Sequence, residues 1–187
     1  MIIGLTGPKG SGKTTVAKYL CSQYNFVPLS FSTKIKQVAK MIYNLNEEQV
    51  NGSLKEVIDE RYNITPRFIL QKLGTEICRE IYSDTWIIPI KNYMDEYPNS
   101  NYVIDDVRYD NEANLIKSYG GEIWLIDRSE LNNIKDLHSS ESGITVPPDN
   151  IIINITTLNG VHILHQIIKN LMFYKMKDID ILRQLVP

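Results

Sequence analysis

The residues of this 187-residue chain best equipped for chemistry stand near its start, where GPKGSGKT (7–14) follows the apolar run IIGLT and precedes a helical period. The pattern G-x-x-x-x-G-K-T lets Gly7, Gly10 and Gly12 turn the chain without a Cβ, so successive backbone N–H groups can converge on phosphate oxygens. A helix opening at Lys13 adds its positive end. Lys9 contributes charge from inside the loop, Lys13 reaches the β and γ phosphates, and the Thr14 hydroxyl is placed for Mg2+. Ser11 and Thr15 complete the set expected to hold ATP.

A second signal is YVIDDVR (102–108), where a buried strand emerges at the sheet edge that carries the phosphate loop. Neighbouring strand residues face opposite sides, so one of Asp105 and Asp106 aims into the site. Asp106 is assigned there, as a catalytic carboxylate and, with Thr14, as the metal pair. A third signal is TPRFILQKLGTEICRE (65–80). Thr65 and Pro66 specify a helix start, and Ile69, Leu73, Ile77 and Ile81 supply a buried stripe. Arg67, Gln71 and Gly74 share another face, flanked by Thr75 and Arg79. Glycine inside a helix costs roughly 0.5–1 kcal/mol against alanine, so something approaches Gly74 closely. Two readings stand. Either a planar base lies in the gap, with Gln71 at its edge and Arg67 or Arg79 on a monophosphate, or another helix packs there and the arginines pair with Glu76 and Glu80.

These groups need a scaffold. Apolar runs at 2–6, 26–30, 102–105, 122–127 and 150–155 alternate with helical periods at 13–24, 32–43, 66–80, 83–97, 110–119 and 157–174. The alternation predicts an α/β fold, a doubly wound parallel sheet of five strands in a single domain. Residues 44–63 are polar and read as a short helical excursion. Residues 128–148 lack periodicity and are rich in Ser, Asp, Asn and Pro, which suits a lid. Arg128, entering it, is placed to close over the phosphates, and His138 is a candidate contact. A net charge of −2 argues against nucleic acid or an anionic membrane as partner. Cys21 and Cys78 fall in helical segments and build neither a disulfide framework nor a paired zinc site, so buried thiols in a reducing cytoplasm are expected. No apolar run approaches the roughly 20 residues of a membrane helix. A guanine-reading Asn-Lys-x-Asp stretch is absent, which weakens a GTPase reading.

Taken together, R-x-x-L-Q-x-L-G-T-E-x-x-R (67–79) and D-V-R (106–108) resemble the virus-encoded deoxynucleoside monophosphate kinases. SFSTKIK (30–36), DTW (84–86), NEA (111–113), GGEIWLIDR (120–128), DLHSSE (136–141) and IIINITTLNGV (151–161) follow in the family's order, so the resemblance spans nearly the whole chain. It implies a P-loop kinase fold with a lid over 128–148, an acceptor-binding helical region over 44–98, and phosphoryl transfer from ATP to a deoxynucleoside monophosphate for DNA precursor synthesis. It places Lys36, Arg67, Arg79 and Arg108 around the acceptor, stacks Trp86 on the base, and rests the adenine on the turn beginning at Asn154. Lys13, Asp106 and Arg128 form the catalytic set. Ser32 and Thr33 stand where the pattern has a small and then an acidic residue, Asp105 adds a second carboxylate, and the chain is short for the family. The implied partner is a small-molecule nucleotide, with a homodimer left open, in the cytosol of a host if the chain is viral. Two alternatives remain: a kinase of dephospho-coenzyme A or phosphomevalonate, and a nucleotide-dependent switch.

Overall fold

The computed structural model describes residues 1–128, 143–154 and 160–185, the last helix with side chains over 164–177. Five short strands form a wholly parallel sheet in the order β2-β3-β1-β4-β5: β1 (Ile2–Thr6), β2 (Val27–Leu29), β3 (Tyr102–Ile104), β4 (Glu122–Asp127) and β5 (Asn150–Ile153). Parallel neighbours require crossovers. α1 (Lys13–Tyr24) follows β1, α2 (Ser32–Tyr43) through α6 (Ile87–Glu96) join β2 to β3, α7 (Asp110–Ser118) leads to β4, and α8 (Gly160–Leu185) follows β5. The sheet is therefore doubly wound, as the alternation predicts.

Strand alternation sorts the core onto two faces. Ile3, Leu5, Val103, Trp124, Ile126 and Ile152 pack with Val16, Ala17 and Leu20 of α1 and with Leu164, Ile168 and Met172 of α8. Tyr102, Ile104 and Ile123 face the other way, onto Ile87, Ile90 and Met94 of α6 and Ala113 and Ile116 of α7. Each Val, Leu, Ile or Met among them contributes about 1.5–3 kcal/mol on burial. A third apolar cluster, Ala39, Leu45, Val50, Ile69, Leu70 and Leu73, fastens α2 to α3 (Glu47–Val50) and α4 (Pro66–Gln71). It carries the expected excursion: α3 starts on a capping box of Asn46 and Gln49, and a 3-10 turn follows at Ser53–Glu56.

The stretch read as one helix is helical throughout but not uniform. Thr65 Oγ1 accepts the Phe68 N–H at 3.2 Å and Pro66 sits in the first turn, as expected. α4 then widens into a π-helical turn, Lys72–Ile77, before α5 (Cys78–Ile81). There the Cys78 N–H reaches back five residues, to the Leu73 carbonyl. The wider turn shifts the helical phase and corrects the apolar stripe: Ile69 and Leu73 are buried, whereas Ile77 and Ile81 are 49% and 80% exposed. Both thiols are half-buried rather than buried. α8 is described from Gly160 and runs on to Leu185, past Tyr174 where its sequence period ends. Among the described residues no helix is long and apolar enough to cross a membrane.

Candidate active site

β1 feeds the loop at its C-terminal end. Gly7, Gly10 and Gly12 adopt φ of 133°, 81° and 105°, a region that L side chains enter at a cost. A Cβ on Gly7 would lie 2.3 Å from the Ile126 carbonyl oxygen, and one on Gly12 2.6 Å from Asn154 Nδ2. Gly12 caps α1 with no side-chain bond, so the first amides of that helix remain available to a ligand. Ser11 is fully buried, and its Oγ has no hydrogen-bond partner among the described residues. Lys13 Nζ donates across the loop to the Gly7 and Pro8 carbonyls at 2.6 and 2.7 Å. Arg128 Nη1 donates to the Gly10 carbonyl at 3.1 Å, and Asn154 Nδ2 to that of Ser11 at 2.7 Å. Uncapped amides, an orphaned hydroxyl and a rim lysine together suit a polyphosphate. Thr15 lies half-buried in the first turn of α1, outside the cavity wall.

The two carboxylates both line the site but take different partners. Asp105 continues the alternation of Val103, whose face is covered by α1, and it accepts the Thr14 hydroxyl at 3.0 Å. Asp106 turns to the opposite side, where Ser30 Oγ (2.6 Å), the Phe31 N–H (2.9 Å) and the Ser32 N–H (2.9 Å) all donate to it. It pins the start of α2. Thr14 and Asp105 are therefore the oxygen pair suited to a hard cation such as Mg2+. Burial and the neighbouring Asp106 raise the Asp105 pKa, against the pull of Thr14, Lys36 and Lys13.

Beside the loop lies a cavity of about 350 Å3, within the range of small-ligand sites. Lys9, Lys13, Thr14, Asp105 and Asp106 line it from the strand ends, and Lys36 from α2. Arg67, Gln71, Gly74, Thr75 and Arg79 line it from the widened helix, and Arg108 from the segment after β3. The face inferred for that helix is thus the face the cavity sees. Trp86 is not brought in. It is 5% exposed, and its indole N–H bonds to the Gly74 carbonyl at 2.9 Å, so it braces the π turn instead of offering a ring to a base. Ile35 of α2 fills the gap at Gly74, where a Cβ would come within 3.0 Å of its Cδ1. Close helix packing explains the glycine, but the arginines do not pair with Glu76 and Glu80.

Arg67 Nε donates to Glu56 Oε1 at 2.5 Å, and the same oxygen takes Lys9 Nζ at 3.2 Å. Arg79 bonds to Glu112 and to the Ser83 carbonyl, and its guanidinium lies 4.0 Å from the Tyr109 ring centre. Its Nε is buried without a partner among the described residues. The Tyr109 hydroxyl shares a hydrogen bond with Thr75 Oγ1 at 3.0 Å. The side chains of Arg67 and Arg79 are 19% and 12% exposed, so neither faces bulk solvent.

Sequence reasoning missed Lys55, Tyr109 and Glu112 on the cavity wall. Glu112, 2% exposed, accepts the Arg108 and Tyr109 N–H groups at 2.8 and 3.2 Å while holding Arg79. Burial first, and then Asp106, pushes its carboxyl up to about 7. Its signal lay in its place, the third residue of α7, where Glu reaches back to cap a helix start. Lys55 rides the 3-10 turn, its ammonium pulled down to about 8 by burial and then by Lys36, Arg67 and Arg108. No periodicity marks it. His138 with the rest of 129–142, and the adenine turn at 155–158, lie outside the described residues. Near the end of the segment expected to form a lid, Asp110 takes the Thr145 N–H and hydroxyl, each at 2.6 Å.

A phosphate loop on a central parallel strand, beside a cation-rich cavity, gives the chain the P-loop kinase fold. Shikimate kinase from Aquifex aeolicus has the same fold over 92% of this chain and 96% of its own, with a TM-score of 0.52 and 17% identity. A Chloroflexus aurantiacus protein assigned as a kinase matches over the same shares, with a TM-score of 0.50 and 11% identity. A protein of Acanthamoeba polyphaga mimivirus, assigned as a deoxynucleotide monophosphate kinase, is 36% identical over 156 residues, 75% of this chain and 80% of the relative. The deoxynucleoside-5'-monophosphate kinase of Escherichia phage T5 is 31% identical over 109 residues, 54% of this chain and 43% of that one. The profile of the family described as deoxynucleotide monophosphate kinase matches residues 47–164, and that of the AAA ATPases matches 3–70, which includes the loop. The chain belongs to the deoxynucleotide monophosphate kinase family.

Proposed function

We propose that this chain is a deoxynucleoside monophosphate kinase, moving the γ-phosphoryl group of ATP onto a deoxynucleoside monophosphate to give ADP and the diphosphate for DNA synthesis. One observation carries the reading. A single carboxylate oxygen of Glu56 touches both Lys9 of the phosphate loop and Arg67 of the helix expected to hold the acceptor. Cations from both halves of the cavity therefore reach one small anion, the spacing needed if two phosphorylated ligands meet end to end.

Phosphoryl transfer asks for positioning and neutralisation, because the transition state spreads charge over the transferred oxygens. The amides of residues 7–14 and Lys13 hold the donor phosphates. Arg67, with Lys36 and Arg108, takes the acceptor phosphate, and Gln71, donor and acceptor at once, reads a base edge. Arg79, locked by Glu112 and Tyr109, stiffens that wall. Arg128, anchored on Gly10, closes toward the phosphates. Thr14 and Asp105 would hold Mg2+, which when bound neutralises charge on the β and γ phosphates. A coupled assay of ADP release with each of the four common deoxynucleoside monophosphates tests the proposal. Turnover with at least one is expected, and silence with all four refutes it. A nucleotide switch would instead hydrolyse ATP slowly and ignore every monophosphate.

A further inference from the structure

We propose that Lys55 is a further acceptor-gripping residue: the Ser53–Glu56 turn carries its ammonium into the cavity to bind the phosphate of the deoxynucleoside monophosphate beside Arg67. The inference rests on the acceptor site proposed above. Lys55 lies within a polar excursion whose neighbours Ser53, Leu54 and Glu56 are exposed, yet it is half-buried and lines the cavity. Its ammonium donates a hydrogen bond to no other residue among the described ones. Three more cations line the same cavity from separate elements: Lys36 of α2, Arg67 of α4 and Arg108 after β3. On its own turn, Glu56 is already engaged by Arg67 and Lys9.

Such convergence of like charge is unfavourable until an anion enters, and a phosphate dianion is the ligand it suits. The cost shows in Lys55 itself, pulled down to about 8 by burial and by those three cations. It is charged at neutral pH and loses its proton as pH rises through that value, and an arriving phosphate favours the charged form. The acceptor's own phosphate has its second ionisation near pH 6, so it stays dianionic across this range. Arginine at position 55 would keep its charge throughout.

The test is the coupled assay with purified full-length protein, saturating ATP and a deoxynucleoside monophosphate that turns over. Lys55→Ala should raise the acceptor KM about tenfold or more at pH 7, with the ATP KM within about twofold of wild type. Lys55→Arg should restore the acceptor KM to within about threefold. Wild-type kcat/KM for the acceptor should fall above roughly pH 8 and level off near the value of Lys55→Ala, while that of Lys55→Arg stays level. An unchanged acceptor KM in Lys55→Ala, or superimposable pH profiles for wild type and Lys55→Arg, overturns the proposal. Arg67→Ala, run in parallel, separates the two ideas. A raised KM there with none in Lys55→Ala overturns Lys55 alone, and no rise in either overturns the acceptor site together with it.

Discussion

Replacing each of the adjacent carboxylates by its amide should have opposite consequences. Asp106→Asn keeps one oxygen for the Phe31 N–H but puts an amide NH2 where the Ser32 N–H now donates at 2.9 Å. One charge-assisted bond is lost, worth about 1.5–3 kcal/mol, and two donors are left facing each other, at about 1–3 kcal/mol more. Ser30 can turn its hydroxyl round and accept, which limits the damage to about 3–5 kcal/mol. Each kcal/mol moves the melting temperature of a chain this size by about 2–4 °C, so a fall of roughly 10 °C is expected. Asp105→Asn should not unfold the protein. A carboxyl whose folded pKa is raised favours the fold while protonated and weakens it as pH climbs through that pKa, so near pH 7 its removal is neutral or slightly stabilising. Turnover should nonetheless fall about 100-fold or more, since the carboxylate paired with Thr14 is gone. Thermal melting and the coupled assay, run on both variants, decide it. Equal melting losses in the two, with turnover retained in Asp105→Asn, would refute the assignment.

Lys13→Ala should reduce phosphoryl transfer by about 1000-fold, because this ammonium spans the Gly7 and Pro8 carbonyls at the phosphate rim, and a twofold loss would contradict its role. Glu112 is held above the ordinary range of a carboxyl, at about 7, so its contribution to stability is full in acid and fades as pH rises through neutrality. Glu112→Gln should therefore gain melting temperature relative to wild type between pH 5 and about pH 8, as read by calorimetry, and a difference independent of pH would dismiss the burial argument.

Much of this arrangement is legible in the residue order. The glycine spacing of 7–14 after an apolar strand dictates the loop, and the bounds of β1, α1, α2 and β4 follow from periodicity alone. Arg67, Gln71, Gly74, Thr75 and Arg79 share a face because they lie three, four or five residues apart, and the widened turn still delivers all of them to the cavity. That same turn is invisible to a 3.6-residue period, which is why Ile77 and Ile81 look apolar and buried on paper and stand in solvent. The Asp105–Asp106 choice was decidable in principle. Counting alternation from Val103, on the face covered by α1, leads to Asp105, but that requires knowing which face α1 covers. Trp86 belongs to the core because its one donor finds the Gly74 carbonyl, a contact between segments that no local pattern encodes. Lys55 is equally silent, since a lysine in a polar turn looks like any solvated surface residue until the turn folds over Arg67.

The position of the acceptor phosphate is the central claim to test. A crystal structure with a bisubstrate ligand, adenosine joined through a polyphosphate chain to a deoxynucleoside, addresses it directly. The phosphate chain is expected to run from the amides of residues 7–14 to Arg67, with Glu56 displaced from that guanidinium. A deoxynucleoside seated outside the cavity, with Arg67 still bound to Glu56, would contradict it.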